Sequence, residues 1–369
     1  MRARATVDVG AVERNCLRIA AELPAETELC AVVKAGGYGH GAVPCAAAAL
    51  AGGATWLAVA AASEAVEIRA ELAERARLLV LGALDERDLD LALGAGADVP
   101  VWRPRFLELV SARGRALGIR PRVHVKFDTG MGRLGERDPA VVADLTRTAA
   151  AADDVELVGF WTHFATADEG DSTYLDAQLD RFLAVGAPLR EEIDGLMLHA
   201  ANSAATLREP RAHLDMVRCG IAIYGLDPYG RDPAEQRLEP ALTLSSYVAD
   251  VKSFESGASA GYGRSWTAER DTHVGVLPIG YGDGVRRGLS NNAEVLIRGR
   301  RYPVVGTISM DNLTVDLGSD PTVEPGDEAV LIGPQGDDRI LCEEVAARLG
   351  TINYEVTCAI SSRVPREAV

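Results

Sequence analysis

The sequence predicts an α/β chain, a (β/α)8 TIM barrel followed by a mainly β C-terminal domain, and three observations carry that reading. Short branched, apolar runs recur between residues 27 and 225. Most are apolar on both faces, as parallel strands covered by helices are. After Pro228 the pattern turns to polar–apolar alternation broken by turns about every 8 to 12 residues, the signature of antiparallel strands. The barrel is placed at 1–235 and the second domain at 236–369, and about the first 10 residues can join the second domain.

The barrel strands are read in order as "LCAVVK" (29–34), "TWLAVA" (55–60), "RLLVLG" (77–82), "ADVPVW" (97–102), "RVHVKF" (122–127), "ELVGFWTHF" (156–164), "LMLHAA" (196–201) and "VRCGIAIYG" (217–225). Spacers such as "GAVPCAAAALAGG" and "DPAVVADLTRTAAAADD" have helical periodicity, so each strand is followed by a helix. An open doubly wound sheet is the competing architecture, but eight strand–helix repeats suit a barrel. The polar, turn-rich "YGRDPAEQRLEP" (229–240) reads as a linker. Beyond it "LTLSSYVADVKSFE", "THVGVLPIG", "AEVLIRGRRYPVVGTISM", "LTVDLG" and "DEAVLIGP" read as strands, with one helix at "LCEEVAARLG" (341–350).

Composition excludes several partner classes. With 38 basic against 54 acidic residues, the formal charge of −16 repels phosphate backbones and anionic lipid, so neither nucleic acid nor a membrane is expected as a partner. No run of 18 apolar residues occurs and "MRARATVDVG" holds no apolar signal core, so the chain is expected in the cytoplasm. The six cysteines form no C-x-x-C pair and have no histidine at metal spacing, which supports neither a disulfide framework nor a metal site.

Function in a barrel belongs at the C-terminal ends of its strands. The first strand ends at Lys34, with Gly36, Gly37, Tyr38 and His40 just beyond. The loops after the seventh and eighth strands, the usual phosphate cradle of such barrels, offer Asn202, Ser203 and the Gly220–Ile221 amides. A lysine at one strand end with a phosphate cradle opposite suggests a phosphorylated aldehyde bound as an imine, pyridoxal 5′-phosphate.

The segments "AVVKAGGYGHG", "KFDTGMGRLG", "THFATADE", "LHAANSAA", "MVRCGIAIYGL", "GYGRSW", "PIGYGDG", "VVGTISMDN" and "INYEVTCAISSRVPR", in this order, resemble the alanine racemases, fold-type III amino-acid racemases that use pyridoxal phosphate. The resemblance spans essentially the whole chain. It implies racemisation of L-alanine to D-alanine for peptidoglycan by two bases, Lys34, which also carries the cofactor, and Tyr262 on the opposite face. By the same resemblance His163 and Arg218 assist Tyr262, and Arg218 also donates to the pyridine nitrogen. Tyr38, Ser203, Gly220, Ile221 and Tyr354 hold the phosphate, while His199 and Asn202 lie near the ring. Arg133 is implied to contact the ring hydroxyl and the substrate carboxylate, and Lys126 matches a lysine that is carbamylated in many relatives. Met310 and Asp311 match carboxylate contacts and Tyr281 an entrance tyrosine; for Tyr281 and Asp283 a turn or packing role competes. The family is dimeric, so Tyr262 and Met310 are implied to complete the partner's site in a homodimer.

Two departures from the pattern bear on substrate. Gly36 and Gly37 replace the usual Asn or Asp and Ala, and Ser309 stands where many relatives have a small residue or cysteine. Without a special dihedral such glycines loosen the backbone, by about 0.5–1 kcal/mol relative to alanine. They motivate an alternative, a racemase of serine or another small amino acid in specialised metabolism. A non-catalytic, pyridoxal-phosphate-binding homeostasis protein resembles the barrel half alone, and decarboxylases of related fold carry an acid and a cysteine loop that have no match here.

Overall fold

The structure is a computed structural model that describes residues 2–73, 75–319 and 322–369. It divides into two compact units: Val12–Gly37 with Ala42–Ile223, and Met1–Ala11 with Tyr38–Gly41 and Tyr224–Val369.

The chain opens on β1 (Arg4–Val7), which belongs to the second unit. The barrel strands follow as β2 (Glu28–Val32), β3 (Trp56–Val59), β4 (Arg77–Val80), β5 (Val99–Val101), β6 (Arg122–Lys126), β7 (Glu156–Trp161), β8 (Met197–His199) and β9 (Met216–Cys219). Their order is β4-β3-β2-β9-β8-β7-β6-β5, and every neighbouring pair is parallel. The ring closes between β4 and β5 through a single parallel bridge, Leu79 to Asp98. There Asp98 N donates to Leu78 O at 2.7 Å and Val80 N donates to Asp98 O at 3.0 Å.

All eight expected runs are therefore strands, because residues buried on both faces (every position of β3, β5 and β9) have no solvent side to alternate toward. The first strand differs in extent. It ends at Val32, so Lys34 stands beyond the ladder rather than on it. Helices return the chain between strands and are capped by their own sequences. Asp138 accepts from Ala140 N and Val141 N to start Pro139–Ala151, and Gly118 (φ 69°) ends Pro104–Leu117 in the left-handed region. Between barrel and helices, Phe160 stacks on Phe182 with ring centroids 5.2 Å apart.

The second unit is built on one large sheet. Its strands are β1, β10 (Leu242–Tyr247), β11 (Asp250–Phe254), β14 (Thr272–Leu277), β15 (Glu294–Ile297), β16 (Arg300–Val305), β17 (Leu313–Gly318), β18 (Glu328–Gln335) and β20 (Arg366–Ala368), with β19 (Asp338–Ile340) paired to β18. A small separate ribbon joins β12 (Ser259–Ala260) to β13 (Trp266–Thr267). The pairs are antiparallel except β1 with β20. Strict alternation survives in β17, where Leu313, Val315 and Leu317 are buried and the residues between them are not. The expected helix is Cys342–Leu349, and a second short one, Asn353–Cys358, follows it. Among the described residues no helix is long and apolar enough to cross a membrane, and all six cysteines are free thiols.

Candidate active site

Lys34 opens a turn of the wrong hand. Ala35, Gly36, Gly37 and Tyr38 have φ of 54°, 62°, 64° and 52°, a single left-handed turn closed by Gly37 N donating to Val33 O at 2.9 Å. L-residues with a Cβ resist this region by about 1–2 kcal/mol each, whereas glycine enters it freely. Gly36 and Gly37 therefore suit the backbone that presents Lys34, and the loosening expected of them is corrected by these dihedrals. Glu64 secures the turn: its Oε1 accepts from Ala35 N at 2.6 Å, and its Oε2 accepts from Ala60 N and Ala61 N at the start of the next helix.

Around the same barrel end the structure gathers cations. Lys126, the last residue of β6, is buried, and its amine is pushed down to about 7. Burial is the main cause, helped by the charges of Arg218, Arg133 and Lys34 and opposed by Asp128. His163, just after β7, is held well below its ordinary value by burial and then by Arg218, Arg133, Lys126 and Lys34, so it is a neutral imidazole. Arg133 is exposed on a loop that Asp128 organises by accepting from Gly130 N and Gly132 N.

Arg218, in the middle of β9, is buried and fully engaged on one side. Its Nη2 donates to Thr162 O and Ala200 O at 2.7 and 2.9 Å, and its Nη1 donates to His199 Nδ1 at 2.8 Å. The ring of Trp161 lies parallel to that of His199, 5.6 Å away, with Lys126 Nζ 4.0 Å from the same indole. Ser203 and Gly220 meet directly: Ser203 Oγ accepts from Gly220 N at 2.9 Å and from Ala222 N at 3.4 Å, binding the loop after β8 to the loop after β9. Asn202, expected near the ring, caps the helix Ser203–Arg208 by accepting from Ala205 N. Ile221 is buried at the start of the 3-10 turn that follows.

The remaining candidates lie in the second unit. Tyr38 packs against Tyr354 and Tyr224, with centroids 5.9 and 5.3 Å apart, and His40 stacks on Tyr224. Tyr262 (74% exposed) and Met310 (51% exposed) stand out among exposed large side chains. Tyr262 and Ser309 line one cavity together with Thr307 and Asn312. Tyr281 N donates to Ser309 O and Gly282 N to Met310 O, so the turn carrying Tyr281 fixes the backbone of Met310. Asp311 pairs with Arg363 at 2.6 Å, and buried Asp283 takes Arg2 and the Gly280 amide. Sequence reading missed Glu64, Tyr224, Trp161, His124 and Asp98. For Tyr224, Trp161, His124 and Asp98 the only signal was polarity or size where the strand pattern asked for none, and Glu64 gave no signal among the other glutamates of its helix.

A parallel barrel with an amine held at its mouth and a buried guanidinium beneath, continued by a β domain, defines an enzyme of the α/β-barrel class. Family models described as "Alanine racemase, N-terminal domain" and "Alanine racemase, C-terminal domain" match residues 7–228 and 241–368. The chain belongs to the alanine racemase family. It is 45% identical to the alanine racemase of Symbiobacterium thermophilum over 98% of this chain and 96% of that protein. Among solved structures, the alanine racemase of the D-cycloserine producer Streptomyces lavendulae superposes with a TM-score of 0.94 at 38% identity, covering 100% of this chain and 97% of that one. The Bacillus anthracis alanine racemase solved with bound L-Ala-P gives a TM-score of 0.91 at 37% identity, covering 100% and 95%.

Proposed function

We propose that this chain interconverts L- and D-alanine with pyridoxal 5′-phosphate, in the cytoplasm and as a homodimer, and so supplies D-alanine for peptidoglycan. The observation that carries the reading is Lys34 on its left-handed turn at the C-terminal end of the barrel, in one unit with buried Arg218 and the Ser203–Gly220 junction. That donor set fits the cofactor: a primary amine for the aldehyde, a permanent cation for the pyridine nitrogen, and a hydroxyl with backbone amides for the phosphate. When bound, pyridoxal phosphate supplies an electron sink that makes the α-proton of the amino acid removable.

The residues supply the rest. The Lys34 amine takes or returns the α-proton on one face, and the phenol of Tyr262 from the partner does so on the other; two bases on opposite faces are what inversion requires. Exposure of Tyr262 and Met310 on the chain by itself supports their completing a neighbour's site. Arg218 is always a donor, so it places a fixed positive charge without giving up a proton and keeps the sink weak, which limits side reactions. Arg133 and Met310 orient the substrate carboxylate, Tyr281 lines the entrance, and Tyr38 with Tyr354 holds the phosphate. As a carbamate, Lys126 would balance the charges of Arg133 and Arg218. Because Gly36 and Gly37 are accounted for by their dihedrals, they give no ground for a substrate other than alanine.

The test is chiral amino-acid analysis in D2O of the purified protein loaded with pyridoxal phosphate, with L-alanine, L-serine and other L-amino acids compared. Deuterated D-alanine formed well ahead of the rest is the expected result; a different preferred amino acid overturns the alanine assignment.

A further inference from the structure

A chain of side chains crosses the interior of the barrel from its floor to Arg218. Arg218 Nη1 lies 2.8 Å from His199 Nδ1, His199 Nε2 lies 3.0 Å from His124 Nδ1, and His124 Nε2 lies 3.1 Å from Asp98 Oδ2. Asp98 is anchored at the floor by Arg77 Nη2 at 2.7 Å and Arg122 Nε at 2.6 Å. Asp98, His124 and His199 are wholly buried. Arg77 and Arg122, which open β4 and β6, line an arginine-rich surface cavity at that end.

The two ends determine every proton between them. A guanidinium has no acceptor, so His199 Nδ1 must accept, and the single proton of a neutral His199 sits on Nε2. His124 Nδ1 must then accept, which puts its proton on Nε2, aimed at a carboxylate that can only accept. Charges agree with this assignment. Burial pushes both imidazoles down, with Arg218 adding to the effect; at His124 the bond and charge of Asp98 oppose the shift without reversing it. Burial alone would raise Asp98, but the bonds from His124, Arg77 and Arg122 bring it below the ordinary carboxylate value. The barrel also makes room for the histidine pair: a Cβ on Gly159 would lie 2.3 Å from His124 Nδ1 and 3.2 Å from His199 Nε2.

We propose that Asp98 and His124 are positioning residues of the active site, forming with His199 a one-way hydrogen-bond relay that locks His199 in its Nε2–H tautomer and thereby holds the guanidinium of Arg218 in place. The relay itself is independent of any ligand. Its consequence for catalysis rests on the reading above, in which Arg218 faces the cofactor ring.

The experiment is nitrogen-15 NMR of the cofactor-loaded protein labelled at its six histidines, between about pH 5.5 and 8.5, across which an ordinary histidine titrates. Two histidines are expected as non-titrating Nε2–H tautomers, coupled to each other. His124→Phe removes one of these signals and shifts the other, and lowers kcat about tenfold while KM for alanine stays within about twofold, as expected when an interaction peculiar to the transition state is weakened. Gly159→Ala, which drives a methyl into the same hydrogen bond, keeps both signals but shifts them and abolishes their coupling, with the same fall in kcat. An Nδ1–H tautomer or an imidazolium at either position in the unaltered protein overturns the relay, whatever the variants do. If the tautomers are as stated but alanine is not racemised, the functional reading fails and the relay stands. If alanine is racemised and His124→Phe leaves kcat and the His199 signal unchanged, the positioning role fails alone.

Discussion

Glu64 holds the backbone of Ala35, the residue directly after Lys34: its Oε1 accepts the Ala35 amide at 2.6 Å while its Oε2 accepts those of Ala60 and Ala61, at 2.8 and 3.1 Å. One carboxylate therefore serves both as the cap of the helix Ala62–Leu72 and as the tether of the turn that presents the lysine. Its Oε1 gives the Ala35 amide an acceptor within the left-handed turn.

Glu64→Ala should then do two separable things. Loss of the cap should cost about 0.5–2 kcal/mol of stability, as helix caps do, read as a lower urea midpoint. Loss of the tether should lower kcat without preventing cofactor capture by Lys34. Glu64→Gln keeps one acceptor and should recover part of both. If the alanine variant lost stability but kept full kcat, the cap would be real and the tether irrelevant to Lys34.

The left-handed turn makes its own claim. A Cβ at Gly36 would meet nothing within 4 Å, so steric crowding is absent and only the backbone conformation opposes a side chain there. Gly36→Ala should destabilise by about 1–2 kcal/mol, and Gly36→Asn by less, since asparagine tolerates this region. Substrate preference among L-alanine, L-serine and larger amino acids should not move. A shift in preference would restore the idea that these glycines shape specificity.

These residues also mark where sequence reading stops. The barrel strands were legible because parallel strands buried on both faces leave unbroken apolar runs, and Lys34 was legible because it ends such a run. The handedness of the next turn was not: two glycines permit many conformations, and only the Gly37 amide bonded to Val33 O and the Ala35 amide bonded to Glu64 select one. Glu64 was hidden among the exposed glutamates of an ordinary helix. Asp98 and His124 were polar residues in otherwise apolar runs, and their meaning depends on the register of β4, β5, β6 and β8, which no local pattern specifies. Tyr262 and Met310 were recognisable only through family resemblance, since on the chain alone they are exposed side chains without a visible task.

Lys126 gives a pH-dependent prediction. Its amine titrates near 7 in the folded protein against 10.5 ordinarily, so between those values the unfolded chain binds a proton that the folded chain does not. Stability therefore rises with pH across this window, and Lys126→Met should flatten the rise. The same neutral amine can add to CO2, releasing one proton and leaving a carbamate anion beside Arg133 and Arg218. With carbon-13-labelled bicarbonate at pH 8 a carbamate resonance should appear and be absent from Lys126→Met. Its absence from the unaltered protein would leave Lys126 a buried neutral amine.

The sharpest prediction concerns the two proposed bases. In that proposal Lys34→Ala removes the amine that captures the cofactor and should abolish racemisation. Tyr262→Phe keeps the ring and removes the hydroxyl, and a general acid–base group is worth about 10²–10⁴-fold in rate. Each variant alone is then close to inactive. If Tyr262 works in the neighbouring protomer's site, mixing the two variants under conditions that exchange subunits yields heterodimers with one site lacking both bases and one site lacking neither. Activity should reappear to about one quarter of the native value for equal mixing, since half of the dimers are mixed and each has one intact site. If Tyr262 serves Lys34 of its own chain, every site in the mixture lacks one base and no activity returns. Recovery on mixing therefore distinguishes a shared site from a self-contained one.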